Sequence, residues 1–222
     1  CTLRQHARGV PPEDAAIAVG IEMGHAAIAS GVDMIGLGEM GIGNSTAASA
    51  ITAALTGLPV ASVTGRGTGA DDAMLERKVR VIEGALRRHC PDPADAVDVL
   101  VKVGGFELAG LAGLVLAAAA GRKVVVTDGF IATAAAALAV RMCPAAGDYL
   151  VAAHRSPEPG HTALLTLIGQ EPLLDLRMRL GEGTGAALAF VLIRAAVAAF
   201  TEMATFASAG VSNRPDRPDA VA

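Results

Sequence analysis

The chain has 222 residues, 52% hydrophobic, 18% charged and 3% aromatic, with a formal net charge of −4. That balance excludes intrinsic disorder, and with no Lys/Arg-rich block it argues against nucleic acid or an anionic membrane as partner. Alanine (47) and glycine (26) fill 73 of 222 positions without a collagen-like triplet period, so the core has to pack by close backbone approach.

The first predicted element is a helix from Pro12 through Ser30, ended by Gly31. Asp33 to Leu37 reads as a short buried strand running into glycines, and Asn44 or Ser45 as the cap of an Ala-rich helix that stops at Gly57. Val60 to Val63 is a second short apolar run, read as a strand, followed by the glycine-rich segment 65–69. A charged amphipathic helix follows from Asp71 to His89, then helical stretches over Asp95–Val103 and Glu107–Ala120. Lys123 to Asp128, β-branched and bounded by Gly121 and Gly129, is the clearest strand. Ile131–Met142 is helical, Tyr149–Ala153 a strand, Thr162–Ile168 and Gly183–Phe206 helical, and a Pro/Asp-rich tail begins at Ser212.

Strands alternating with helices of ten or more residues predict an α/β fold, a Rossmann-like parallel sheet flanked by helices with further helices at the C-terminal end. By length a single large domain is the default. The longest uncharged stretch, Gly41–Gly65, carries Asn44, Pro59 and many Ser/Thr, and the more apolar run Leu108–Gly121 has 14 residues. Neither is expected to span a bilayer. The segment around Cys1 has no apolar leader-like core, and Cys1, Cys90 and Cys143 form no C-x-x-C pair. A reducing cytoplasm is therefore expected, with neither disulfides nor a zinc site.

Ligands of open α/β sheets bind beyond the carboxyl ends of the strands, which singles out the loops after Leu37, Val63, Asp128 and His154. The first holds a literal G-x-G-x-x-G, Gly36 to Gly41, continuing Ile42-Gly43-Asn44-Ser45. Strand before and helix after is the setting of a phosphate-cradling turn. The second apolar run lacks the ribose-binding carboxylate of a dinucleotide fold, so a mononucleotide or sugar phosphate is favoured, with tight packing as the alternative. Glu39 lies inside that loop, where structure alone gains little from a carboxylate. The segment 65–69 can form another anion-binding nest; Lys78 either reaches back to it or belongs to a solvated face with Arg77 and Arg80. Asp128 offers a carboxylate at a strand end, and the segment from His154 to His161, with Ser156 and Glu158, shows no metal-ligand spacing. Glu182, between Gly181 and Gly183, is either a helix-capping carboxylate or a base held over a ligand by close backbone. With no nucleophile–histidine pairing, acid–base work falls to Glu39, Glu158 and Glu182.

Six strings occur in order: G-E-M-G-I-G-N-S-T (38–46), T-G-R-G-T-G (64–69), V-G-G-F-E-L-A (103–109), V-V-V-T-D-G-F-I (124–131), S-P-E-P-G-H (156–161) and L-G-E-G-T-G-A-A-L-A (180–189). Together they resemble the nicotinate-nucleotide:5,6-dimethylbenzimidazole phosphoribosyltransferase family of cobalamin lower-ligand synthesis. The resemblance implies transfer of 5-phosphoribose from nicotinate mononucleotide to 5,6-dimethylbenzimidazole, without metal or cofactor, in a homodimer. It implies Glu182 as the base with Glu39 beside it, and Gly41, Gly43, Asn44 and Ser45 around the phosphoribosyl group. Gly67, Lys78 and Ser156 become further phosphate contacts, Met40 and Leu180 line a flat apolar slot for the base, and Ile42, Asp128 and Glu158 complete the substrate-binding set. On this basis 1–175 is expected to form the phosphoribosyl-binding core, and 176–222 the Glu182 loop and a helical segment of a smaller domain. The family's K-P-x-G-S-L-G and D-H-G-V segments have no counterpart here. That implies a piece of a longer protein or a shortened homologue; the alternatives are a non-catalytic nucleotide- or azole-binding relative, or a transferase using another base.

Overall fold

Among the described residues three short strands, β1 (Met34–Leu37), β2 (Val124–Thr127) and β3 (Leu150–Ala152), form one parallel sheet in the order β1-β2-β3. Leu37 is level with Thr127 and Thr127 with Ala152, so the three strands end together. The computed structural model describes residues 12–67 and 69–211. The chain divides into two compact units, Cys1–Ala189 and Phe190–Ala222. The tail predicted from Ser212 and the N-terminal stretch read for a leader lie outside the described residues.

The helices in chain order are α1 (Pro12–Ala29), α2 (Asn44–Thr56), α3 (Val60–Val63), α4 (Asp72–His89), α5 (Ala96–Val103), α6 (Phe106–Ala120), α7 (Phe130–Met142), α8 (Pro159–Leu167) and α9 (Thr184–Glu202). A 3-10 turn over Pro144–Tyr149, not expected from the sequence, leads into β3. The α/β architecture is as expected, and the described strands pair in parallel. Two local expectations fail. Val60–Val63 is one helical turn, not a strand: Val60 and Val63, three residues apart, face a small cluster with Ala50, Ala53 and Ile82. Four apolar residues carry no period that separates the two conformations. At the start of α2 the cap is Gly43, in the left-handed region at φ 89°, with no side-chain cap. Asn44 is the first helical residue, and its amide serves Glu39 instead.

Side-chain caps hold the starts of α4 and α5. Asp71 accepts from Met74 N at 2.8 Å, and Asp95 from Val97 N at 2.9 Å and Asp98 N at 3.1 Å, each satisfying donors the helix start leaves free.

Alanine makes up a large part of the core of the first unit, beside buried Leu, Ile and Val. In α7, Ala132, Ala134 to Ala137 and Ala139 are all buried beside Leu138 and Phe130. Each buried methyl contributes about 0.8 kcal/mol, so cohesion comes from number and proximity. Helices α1 and α6 show the proximity. A Cβ at Gly20 would overlap the carbonyl of Gly110, and one at Gly113 the carbonyl of Ile17.

Helix α9 has 19 residues with a mean hydropathy of 1.8, long and apolar enough by length and composition to cross a membrane. A helix was expected over Gly183–Phe206 but not weighed as a span; Arg194 lies near its middle. In the second unit Val191, Val197, Phe200 and Met203 are exposed along this helix, and a turn beyond it is closed by Thr205 N donating to Ser208 Oγ at 2.9 Å. Cys90 and Cys143 are free and exposed.

Candidate active site

Because the three strands end level, the loops that follow them meet. They enclose a cavity of about 560 Å³. Glu39 to Ser45 follow β1, Asp128 and Gly129 follow β2, and His154 to Glu158 follow β3; Gly67 and Met178 to Glu182 complete the lining. Of the site residues expected from the sequence, Glu39, Met40, Gly41, Ile42, Gly43, Asn44, Ser45, Gly67, Asp128, Ser156, Glu158, Leu180 and Glu182 line this cavity. Lys78 stands behind it, half-buried, donating to Ser45 Oγ at 3.0 Å and to the Gly65 carbonyl at 3.1 Å. Burial pulls its ammonium below the ordinary lysine value, and the nearby Glu158 carboxylate partly offsets that. Lys78 is therefore not part of the solvated face that holds Arg77 and Arg80.

The start of α2 brings first-turn N–H groups, the positive end of the helix dipole and the Ser45–Lys78 pair to one corner of the cavity, an arrangement suited to a phosphate. Glu158 Oε1 accepts from Gly67 N at 3.1 Å, joining the loop after β3 to the segment at 65–67, while its Oε2 is buried without a partner. That loop is held from behind by His161. Ser156 N donates to His161 Nδ1 at 2.9 Å, and His161 Nε2 lies 3.0 Å from Thr133 Oγ1. With Nδ1 accepting, the ring proton sits on Nε2 and points to Thr133. Burial first, then the neighbouring His154 and Arg155 charges, pushes His161 down to about 3, so it is neutral in the folded protein.

Besides Glu158, two further glutamates face the cavity, from two different loops. Glu39 is half-buried and accepts from Asn44 Nδ2. Burial pushes its carboxyl above the ordinary value; the Asn44 donor lowers it, and the Asp128, Glu107 and Glu182 charges add to the rise. Glu182 is exposed, with φ 58° between Gly181 at 78° and Gly183 at 80°. Apolar side chains edge the same mouth: Met40, Ile42 and Leu180 are all largely exposed.

Sequence reasoning did not single out Arg179, an arginine of the lining whose Nη2 donates to the Gly67 carbonyl at 3.3 Å. Its adjacency to Leu180 was the available signal. Nor did it single out Phe130, Ile131 or Met178, which add apolar wall. Among the described residues no group of three His, Cys, Asp or Glu is placed to hold a metal ion.

A phosphoribosyltransferase family profile matches residues 11–211. The chain is similar to the nicotinate-nucleotide-dimethylbenzimidazole phosphoribosyltransferase of Chloroflexus aggregans, at 59% identity over 201 residues, 90% of this chain and 57% of that protein. The enzyme of the same name from Geobacter metallireducens is 58% identical over 202 residues, 91% of this chain and 57% of that protein. Among solved structures, CobT from Thermus thermophilus superposes with a TM-score of 0.86 at 46% identity, covering 91% of this chain and 60% of that one. The chain thus spans a little over half the length of the curated relatives it matches. It belongs to the phosphoribosyltransferase family that its profile match defines.

Proposed function

We propose that the protein transfers 5-phosphoribose from nicotinate mononucleotide to 5,6-dimethylbenzimidazole, giving α-ribazole 5′-phosphate and nicotinate. The observation that carries the reading is the meeting, in one cavity, of an anion-binding helix start and two carboxylates in contrasting environments. Its relatives bear the name of that activity. In this reading the phosphate lies at the start of α2, near Gly41, Gly43, Asn44 and Ser45, with Lys78 supplying charge through Ser45 and with Gly67 and Ser156 close by. The benzimidazole ring lies against Met40, Ile42 and Leu180, whose exposed apolar surface it covers.

Glu182 takes the proton from the benzimidazole N–H. The freed nitrogen pair attacks the ribose C1′ from the face opposite nicotinate, and the C1′–N bond to nicotinate breaks with its electrons neutralising the pyridinium. A cationic leaving group needs little acid assistance, so one base with phosphate anchoring suffices. Glu39, kept above the ordinary carboxylate value by burial, lies where ribose or the incoming ring passes. Residues 176–222 carry the base loop and a helical segment, and 1–175 the phosphoribosyl-binding core. The protein works as a cytoplasmic homodimer; sedimentation at a single-copy mass would remove the dimer.

The test is Glu182→Gln. Formation of α-ribazole 5′-phosphate is expected to fall about 10²–10⁴-fold, the range for loss of a general base, while calorimetric binding of nicotinate mononucleotide persists. Unchanged turnover removes Glu182 as the base. Binding of both substrates by the unaltered protein without nicotinate release would favour a binding protein instead.

A further inference from the structure

We propose that Asp128 is a positioning residue for the Glu182 loop, acting on the reaction through Glu182 and not by touching substrate; this rests on the reading of Glu182 as the base. Asp128 follows β2 and is buried. Its carboxylate is committed to backbone far along the chain: Oδ2 accepts from Gly183 N at 3.0 Å and Oδ1 from Gly185 N at 2.7 Å. Those are amides just after Glu182, so the carboxylate fixes where the chain leaves that residue. His154 Nε2 lies 3.4 Å from Asp128 Oδ1, both side chains 4% exposed, and so limits how the carboxylate can turn. Burial disfavours the charged form of Asp128, but the His154, Gly185 and Gly183 donors outweigh it and keep the carboxyl below its ordinary value. His154 Nδ1 is buried without a partner.

The loop needs such a grip. Gly181, Glu182 and Gly183 are three consecutive residues in the left-handed region, and a non-glycine residue stays there only when its surroundings over-determine it. Gly38, just after β1, supplies the opposite wall, since a Cβ at that position would overlap Gly183 N. On the Asp128 side a Cβ at Gly185 would overlap His154 Cδ2 and lie 2.5 Å from Asp128 Oδ1. The loop is thus held between the ends of two neighbouring strands, and the base takes its place from the sheet.

Asp128→Asn keeps the volume but offers one acceptor and turns an NH₂ toward a backbone N–H. Amide exchange at Gly183 and Gly185 is expected to accelerate at least about tenfold, with Val125 and Val126 in β2 unchanged. The kcat for phosphoribosyl transfer is expected to fall about 10²-fold, with nicotinate mononucleotide affinity within about twofold, and to show no further loss when the change is made in Glu182→Gln. Losses that multiply in the double variant, or exchange that stays slow, overturn the proposal. If Asp128→Asn does not fold, His154→Gln takes the same exchange measurement, with about threefold acceleration expected and none overturning the proposal. Absence of turnover in the unaltered protein would defeat the reading of Glu182 as base, whereas the exchange arm tests the grip on the loop independently.

Discussion

Glu39 and Glu182 face one cavity, each beside glycine, yet they are controlled by different means. Glu39 is set by its side-chain surroundings: half-burial and nearby carboxylates push its proton affinity up, and Asn44 holds one oxygen. Glu182 is exposed, and what is fixed is its backbone, turned left-handed between two glycines. The two loops lie close, since a Cβ on Gly181 would stand 3.8 Å from Glu39 Oε1. Proton affinity can be tuned by burying a group, but a base that must meet a mobile ring is better placed than buried. A site can keep both properties by assigning them to different residues.

That division can be broken one side at a time. The largest effect is expected from Gly185→Ala, whose added methyl overlaps His154. Overpacking of this kind costs about 1–3 kcal/mol, and with the base displaced, turnover is expected to fall about 10²-fold. Burial, the largest cause of the Glu39 rise, is untouched, so its titration followed by carboxyl NMR should move only slightly as the Glu182 charge shifts; a larger movement than in Asn44→Ala means that the two loops are not separately controlled.

Next comes acid stability. His161 is neutral in the folded protein down to about 3, whereas an unfolded histidine takes its proton near 6.5. Between those values the unfolded state binds more protons, so folding stability falls as pH drops, by up to about 1.4 kcal/mol per pH unit, and is unaffected above 6.5. Urea midpoints at pH 7 and 5.5 should differ in the natural protein and converge in His161→Gln. Equal midpoints in the natural protein would mean that the wall behind Ser156 admits charge. Both glutamates are therefore best compared above pH 6.5.

Asn44→Ala acts on the other side alone. Losing the Asn44 donor should raise the Glu39 carboxyl further, because that bond now lowers it, while amide exchange at Gly183 and Gly185 stays slow. The smallest effect is expected from Arg80→Ala, which removes an exposed pair with Glu76 at 3.5 Å. It should cost less than about 0.5 kcal/mol and leave both glutamates unchanged, a baseline for the other variants.

Much of the scaffold was legible because its signals are local. Val124–Thr127 is β-branched and bounded by glycine, and Asp71 and Asp95 sit where helix starts need acceptors. Val60–Val63 was not legible, because its conformation is decided by the cluster with Ile82 and not by its own four residues. The cavity lining was largely legible, since glycine strings at strand ends have few other uses. Lys78 shows the limit of spacing. Beside Arg77 and Arg80 it reads as solvated, and only the packing of α4 through Ile82 brings its ammonium to Ser45. Asp128 was recognisable as a strand-end carboxylate, but its partners lie 55 and 57 residues away, a separation that no local pattern encodes. Arg179 announces itself only by the carbonyl it reaches.

The alanine core also sets which way the sequence is free to drift. In a core of leucines the damaging replacements are deletions, which leave holes of tens of cubic ångströms. Along α7 there is little to delete: Ala134, Ala135 and Ala136 carry one methyl each and are fully enclosed, and an Ala→Gly change there costs about 2 kcal/mol, helix propensity and the buried methyl together. Growth is the hazard. At Gly20 even one carbon meets a carbonyl. The alanine-lined faces of α1, α6 and α7 should therefore bear shrinkage better than enlargement, and hold these helices at a spacing that larger residues cannot reproduce.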